Sequence, residues 1–216
     1  MIPLRQTRPS LWQSFSAAPH RMLFLSGAAQ IVLALAWWLL ELATRILGVA
    51  PPALPLPATW AHGFLMLYGV FPFFIFGFLF TVYPRWLGGT AITRRSYVTV
   101  FALLTGGALL FYIGLAVSRL LLALALTLTL AGWAGALASL YRVYARAPTR
   151  SVHEMLLNLA LAAGCGGIGA FLMAVLSGEF FWFRLARETG LWLFLVPVVF
   201  TVMFLWFPSG LVLYWV

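Results

Sequence analysis

The sequence predicts an all-α fold, a polytopic membrane helix bundle of about six transmembrane helices. Composition is the first indication, since 64% of the 216 residues are hydrophobic and only 8% are charged, whereas soluble domains have about 25% charged residues. The second indication is the run from Gly63 to Tyr83, which contains no charged residue and is long enough to cross a bilayer as a helix. No repeated alternation of polar and apolar residues indicates a β-barrel.

The placement of the arginines predicts the topology. A polar cytoplasmic N-terminal tail, 1–21, precedes one transmembrane domain, 22–216, whose expected spans are 22–43, 63–83, 97–117, 120–141, 154–177 and 191–216. All 13 cationic residues are arginines, of which nine lie in the tail and in the loops 84–96 and 142–153, and four lie on the other side. Cytoplasmic loops of membrane proteins carry the excess of positive charge, so both termini are expected in the cytoplasm.

Composition also bears on partners and redox state. The formal net charge of +9 is of a kind found in nucleic-acid-binding proteins. Here, however, the arginines separate apolar runs, as topology signals do. The lipid bilayer is therefore the expected partner, and nucleic acid is not. The single cysteine, Cys165, excludes an internal disulfide.

One helical stripe of the second span combines a histidine with two glycines. A helix turns about 100° per residue, so this stripe contains His62, Met66, Gly69, Phe73, Gly77, Phe80 and Pro84. Glycines let a second backbone or a flat ring such as a porphyrin come close, although an aromatic-rich stripe also fits plain helix packing. Pro72 lies off the stripe and is expected to bend the helix and free a backbone carbonyl.

Three histidines are candidate metal ligands. His62 is the sharpest, because histidine is a common haem and copper ligand and polar residues within spans are functional by default. The alternative for His62 is an interfacial side chain that bonds to a loop. His20 is either a cytoplasmic interface residue or a ligand, and His153, followed by Glu154, is either a metal ligand or part of a helix start.

Topology limits how these histidines combine. His62 is expected at the outer end of its helix, and His20 and His153 at the inner end, across a hydrocarbon core of about 30 Å. One haem cannot bridge the two ends. A site at His62 therefore needs an open coordination position, a second ligand such as Met66, or a partner subunit. His20 and His153 would belong to a separate inner site.

Two further patterns concern packing. Glu41 and Arg45 have the i,i+4 spacing of an ion pair, and Glu41 shares one helix face with Gln30 and Trp37, a polar stripe that lipid would not favour. In the fifth span, glycines cluster at mid-membrane and predict a close helix-packing surface: Gly164, Gly166, Gly167 and Gly169.

Three parts of the chain resemble the NnrS family. They are Ala-Pro-His-Arg-Met-Leu-Phe-Leu-Ser-Gly-Ala at 18–28, Trp-Ala-His-Gly-Phe-Leu-Met-Leu-Tyr-Gly at 60–69 with Gly-Phe-Leu-Phe-Thr-Val-Tyr-Pro-Arg-Trp-Leu-Gly at 77–88, and the segment 183–202. NnrS proteins are polytopic proteins of the bacterial cytoplasmic (inner) membrane, associated with haem and copper and with defence against nitric oxide. The resemblance implies this location, both cofactors and this role here. It matches His62 to the family's motif histidine and His20 to a histidine at the entry of the first span.

Two departures from the family pattern keep other functions open. NnrS proteins usually have about twelve spans, so the chain is similar to an N-terminal half and could be a non-catalytic scaffold that pairs as a homo-oligomer or with a partner subunit. The segment from Phe204 to Val216, together with 197–201, resembles the last span of the YidC insertase. The charged hairpin of that insertase is missing, so an insertase role is the third and most distant reading. If the chain binds haem or copper as the NnrS resemblance implies, Gln30 and Glu41 are candidate groups that support the metal site.

Overall fold

A computed structural model describes residues 10–50, 53–148 and 150–206, with side chains described through residue 203. Within these residues the chain is helical and contains no strand. Six helices are long and apolar enough to cross a membrane. The predicted class, a polytopic helix bundle, is therefore confirmed.

The spans are longer than the apolar runs alone suggest. A short helix, Leu11–Phe15, comes first, and the six spans are Pro19–Ile46, Ala58–Trp86, Arg94–Val117, Arg119–Arg146, Val152–Ser177 and Phe180–Met203, the last helix continuing to Trp206. The first span starts three residues before its expected start, so His20 belongs to a helix and not to the tail. Residues 207–216, most of the YidC-like segment, lie outside the described residues.

The expected loop 178–190 is helical in the structure. Only Gly178, which has a positive φ of 76°, and Glu179 separate the fifth and sixth spans. The helix resumes at Phe180, buries Phe183 and Ala186, and leaves its arginines exposed. The density of charge suggested a loop, but the helical period puts those charges on one face, as in helices that lie in the membrane interface.

Two spans contain a π-helical segment just before a proline. Leu65–Val70 precedes Pro72 in the second span, and Thr189–Leu195 precedes Pro197 in the sixth. A proline has no N–H for the carbonyl one turn earlier, and its ring collides with that carbonyl. A wider turn relieves the collision and leaves carbonyls without their usual partners. The distortion expected at Pro72 thus takes the form of a π-helical turn.

Tyr68 joins the two π-helical segments. Its side chain is 2% exposed, and its hydroxyl donates a hydrogen bond of 2.6 Å to the carbonyl of Ala186. The hydroxyl occupies space that only glycine leaves open. A Cβ placed on Gly167 or Gly190 would lie 1.9 or 2.5 Å from it. Tyr68 therefore fixes the second span against the fifth and the sixth at once.

Trp133 of the fourth span fills the adjoining part of the core. Its indole N–H donates to the carbonyl of Leu161 at 2.8 Å, and a Cβ on Gly164 would lie 2.3 Å from its ring. Phe76 and Phe194 meet its ring edge to face, at centroid distances of 5.1 and 4.7 Å. Such contacts add roughly 0.5–1.5 kcal/mol each beyond area burial, so four spans share this aromatic core.

The glycine cluster of the fifth span is only half used for packing. Gly164 and Gly167 receive the rings of Trp133 and Tyr68, whereas a Cβ on Gly166 or Gly169 would meet nothing within 4 Å. The expected close surface exists, but aromatic side chains and not a second backbone occupy it.

This asymmetry predicts the effect of alanine at neighbouring glycines. We expect Gly167→Ala and Gly164→Ala to lower the free energy of unfolding by about 1–3 kcal/mol, because a buried ring must move. Gly166→Ala is the matched control and should be neutral or stabilising by up to about 1 kcal/mol, since alanine favours the helix. Thermal unfolding in detergent measures the difference. Equal effects at all three positions would contradict the packing described.

Candidate functional site

The ring of His62 is held under a tryptophan of the first span. The centroids of the His62 and Trp38 rings are 4.1 Å apart and their planes differ by 15°. The Nδ1 atom of His62 is buried and has no hydrogen-bond partner among the described residues. A bond from this atom to a nearby loop, the alternative expectation, is absent there. An unpaired buried nitrogen costs roughly 1–3 kcal/mol unless a further group binds it.

An ion pair lies next to this stack. The guanidinium of Arg45 binds the carboxylate of Glu41 at 2.9 Å, as predicted from their spacing, and Glu41 is 7% exposed. The same guanidinium lies 5.8 Å from the centroid of the Trp38 ring. His62, Trp38, Arg45 and Glu41 are thus contiguous at the end of the bundle where the first span ends and the second begins.

A cavity of about 340 Å³ opens beside the ion pair. Its walls are Glu41, Arg45, the segment 54–58 and Arg119. Arg119, at the start of the fourth span, donates a hydrogen bond of 2.9 Å from Nε to the carbonyl of Pro55. Arg45 is already bonded to Glu41 through Nε and Nη2, so Arg119 is the guanidinium of this cavity that suits an anionic group.

The stripe below His62 faces the first span. A Cβ on Gly69 would lie 3.2 Å from the side-chain nitrogen of Gln30, and one on Gly77 would lie 2.7 Å from the Phe24 ring. The plain packing interpretation of the stripe therefore describes the structure, and no flat groove is left along these glycines. Met66, four residues after His62, is half-buried. Gln30 meets the second span at Gly69, roughly 10 Å further along the helix than His62, and does not contact the histidine.

His20 lines a second cavity at the opposite end of the bundle. Its Nδ1 is 3.3 Å from the hydroxyl oxygen of Thr81. The cavity measures about 330 Å³, and its walls include Arg85 and Arg94. The hydroxyl of Tyr97, also in the wall, bonds to the carbonyl of Ser16 at 2.8 Å. Since Thr81 follows His62 by nineteen positions, the two histidines are separated by roughly 30 Å along the helix axis.

The start of the fifth span matches the helix-start alternative for Glu154. The carboxylate of Glu154 accepts a hydrogen bond of 2.8 Å from the backbone N–H of Ser151 and contacts its hydroxyl, which is a capping box. One turn later, Asn158 donates to the hydroxyl of Tyr83 at 2.8 Å. His153 belongs to this helix end.

The fifth span, which carries His153, meets the second span on a different side from His20. Tyr83, which meets the fifth span, is about 200° around the helix from Thr81, which meets His20. Across the described residues, no three His, Cys, Asp or Glu side chains come together as a metal site. The ligand roles of His62, His20 and His153 stay predictions.

Two members of the His62 surroundings were not anticipated from the sequence. They are Trp38 of the first span and Arg119 at the start of the fourth span. One signal was available for Trp38, since it lies one turn before the Glu41–Arg45 pair, at the depth expected for His62. No comparable signal pointed to Arg119, because its contact with Pro55 depends on the path of a proline-rich loop.

The stacking predicts that Trp38 shields the His62 ring from chemical modification. We expect Trp38→Ala to expose the His62 ring and to raise its rate of acylation by diethylpyrocarbonate several-fold, read by mass spectrometry of the purified protein. Trp86→Ala is the matched control and should leave the rate unchanged, because Trp86 ends the second span at the opposite end of the bundle and packs on Phe78. An equal rate in all three proteins would show that Trp38 does not cover His62.

Comparison with known proteins bears on the family. The family model described as NnrS protein matches residues 14–209, which is most of the chain. Neither the curated proteins nor the solved structures give a match. The resemblance of the last segment to the YidC insertase finds no support here, since the NnrS match runs through residue 209. With its six apolar helices, the chain is a multi-pass membrane protein that belongs to the NnrS family.

Proposed function

We propose that this protein binds haem, with copper as a second metal, in the bacterial cytoplasmic (inner) membrane and acts in the response to nitric oxide stress. His62 is the central ligand in this proposal. The observation that carries it is the buried, unpaired Nδ1 of His62, held by the Trp38 ring. Family membership supports the link to nitric oxide.

In this proposal, haem would lie on one side of His62 only. The glycine stripe is filled by Gln30 and Phe24, so a porphyrin has no place there. The cavity bordered by Glu41, Arg45 and Arg119 lies close to the Trp38–His62 stack. Since Arg45 is paired with Glu41, Arg119 would be the group that meets a carboxylate of the haem. Haem bound here would supply an iron that takes small ligands or transfers electrons.

Copper would be bound by an imidazole nitrogen of His62 together with the thioether sulfur of Met66. His62 and Met66 are four residues apart, which puts an imidazole and a thioether near each other on one side of a helix. Thioether and imidazole ligands suit copper, the thioether favouring Cu(I). Two ligands adjacent on one helix cannot lie on opposite faces of a porphyrin, so this pair favours copper over haem.

The chain's own groups have separate roles around His62. Trp38 fixes the plane of the imidazole, and Glu41 holds Arg45 at the cavity. Gln30 is too deep for a direct contact with His62 and would act only through the packing of Gly69. A residue of a second copy of the chain or of a partner subunit would complete the coordination where Met66 does not.

The opposite end offers a second site. His20 lines a cavity with two arginines, whereas Glu154, next to His153, is engaged in capping its helix. Of the two histidines at this end, His20 is therefore the favoured ligand for an inner site, and His153 the weaker candidate.

The test is an absorption spectrum and metal analysis of protein purified from cells supplied with haem and copper. We expect a Soret band that is lost in His62→Ala and kept in His153→Ala, the matched histidine control. Met66→Leu should lower bound copper and keep the haem band. His20→Ala tests the inner site separately, through the loss of any metal bound there.

Two outcomes would contradict the proposal. A folded protein without haem or copper would favour the alternative of a non-catalytic scaffold. Loss of the band in His153→Ala with an unchanged spectrum in His62→Ala would place the metal at the other end of the bundle.

A further inference from the structure

A groove runs along the seam of the third and fourth spans at the arginine-rich end of the bundle, where the loops at 87–93 and 147–151 lie. It consists of two adjoining cavities, of about 260 and 110 Å³, which share Ser96, Ser139 and Arg142 as walls. Neither cavity includes His62 or His20, although the smaller one shares the walls Ala91 and Ile92 with the His20 cavity. The arginines of the groove, Arg95, Arg142 and Arg146, do not line the His20 cavity.

The outer part of the groove is lined by cations and hydroxyls. Arg95 borders the larger cavity and Arg146 the smaller one. Arg142 lies between them and is held by its own helix, with Nε bonded to the carbonyl of Ala138 at 3.0 Å and Nη2 to the hydroxyl of Ser139 at 3.3 Å. Three further hydroxyl groups line the walls: Thr90, Thr93 and Thr99. Guanidinium and hydroxyl groups together suit a phosphate ester.

Within the described part of the chain, no side-chain carboxylate neutralises these three arginines. The chain has four acidic residues. Glu41 and Glu188 bind Arg45 and Arg187, Glu154 bonds to Ser151, and Glu179 joins the fifth and sixth spans at the other end. Among the described residues, neither Arg95 nor Arg146 has an ion pair. The groove is thus an uncompensated positive site at the membrane surface, where anionic lipids gather.

The inner part of the groove is apolar. The larger cavity continues from Arg95 past Val100 and Leu103 to Gly135. Gly135 has no side chain to fill the cavity. A Cβ placed on it would lie 3.5 Å from Val100, which is an ordinary contact distance. A cationic head region that leads into an apolar channel along a helix seam matches a molecule with a phosphate at one end and an acyl chain at the other.

We propose that this groove binds an anionic phospholipid, with its phosphate at Arg95, Arg142 and Arg146 and one acyl chain along Leu103 and Gly135. Charge selects the headgroup, and the apolar floor distinguishes a lipid from free phosphate. The lipid would hold the third and fourth spans together at this end, with the loop residues Thr90–Thr93 against it.

Native mass spectrometry of the full chain in detergent tests the proposal. Phosphatidylglycerol, phosphatidylcholine and inorganic phosphate serve as the probes. We expect the protein to retain phosphatidylglycerol in preference to phosphatidylcholine, and the double variant Arg95→Gln/Arg142→Gln to weaken that binding by roughly tenfold or more. Arg150→Gln is the matched control, because Arg150 lies at the same end against the Tyr144 ring and outside the groove.

Gly135→Leu separates the two regions of the groove. It fills the apolar channel without changing charge, so it should weaken phosphatidylglycerol binding even if the double arginine variant does not fold. Equal weakening by Arg150→Gln would show general surface charge and overturn the proposal. So would equal retention of phosphatidylcholine, displacement of the lipid by millimolar inorganic phosphate, or an unchanged affinity in Gly135→Leu.

Discussion

The insertion of the Tyr68 ring between two glycines is the interaction on which the rest of this bundle depends. A bilayer core has no water to satisfy a buried hydroxyl. The Tyr68 hydroxyl donates to the carbonyl of Ala186, which also accepts the backbone N–H of Thr189 at the start of the second π-helical segment. It reaches that carbonyl only because Gly167 and Gly190 leave room. This contact sets the rotation of the second span, and the rotation decides which neighbour His62 meets.

The sequence predicted where the helices lie along the chain more readily than it predicted which helices contact each other. Six apolar runs separated by arginines were sufficient to predict six spans, and the spacing of Glu41 and Arg45 was sufficient to predict their ion pair. The helix Phe180–Glu188 was not predicted, because the number of its charged residues was considered but not their position on one face of a helix. Charge density indicates a loop only when the charges fall on all sides of the predicted helix.

The sequence was sufficient to single out His62 as a candidate, but not to predict which side chains surround it. His62 was identified from its place at the end of an apolar run. Its stack on Trp38 depends on how two helices rotate against each other, which no pattern within one helix specifies. For the same reason, the sequence could not say whether Gly69 would admit a ring from outside or the side chain of Gln30. Side-chain volume across an interface decides that question, and it becomes visible only in three dimensions.

The proposed function requires that an imidazole nitrogen of His62 binds a metal. The most direct measurement is pulsed electron paramagnetic resonance of metal-loaded protein in which every histidine carries ¹⁵N. In a His20→Ala background, which removes the proposed inner site, we expect a hyperfine coupling from a coordinated histidine nitrogen that disappears when His62→Ala is added. A coupling that persists in the double variant, or a metal signal without any histidine coupling in His20→Ala alone, would contradict the role of His62.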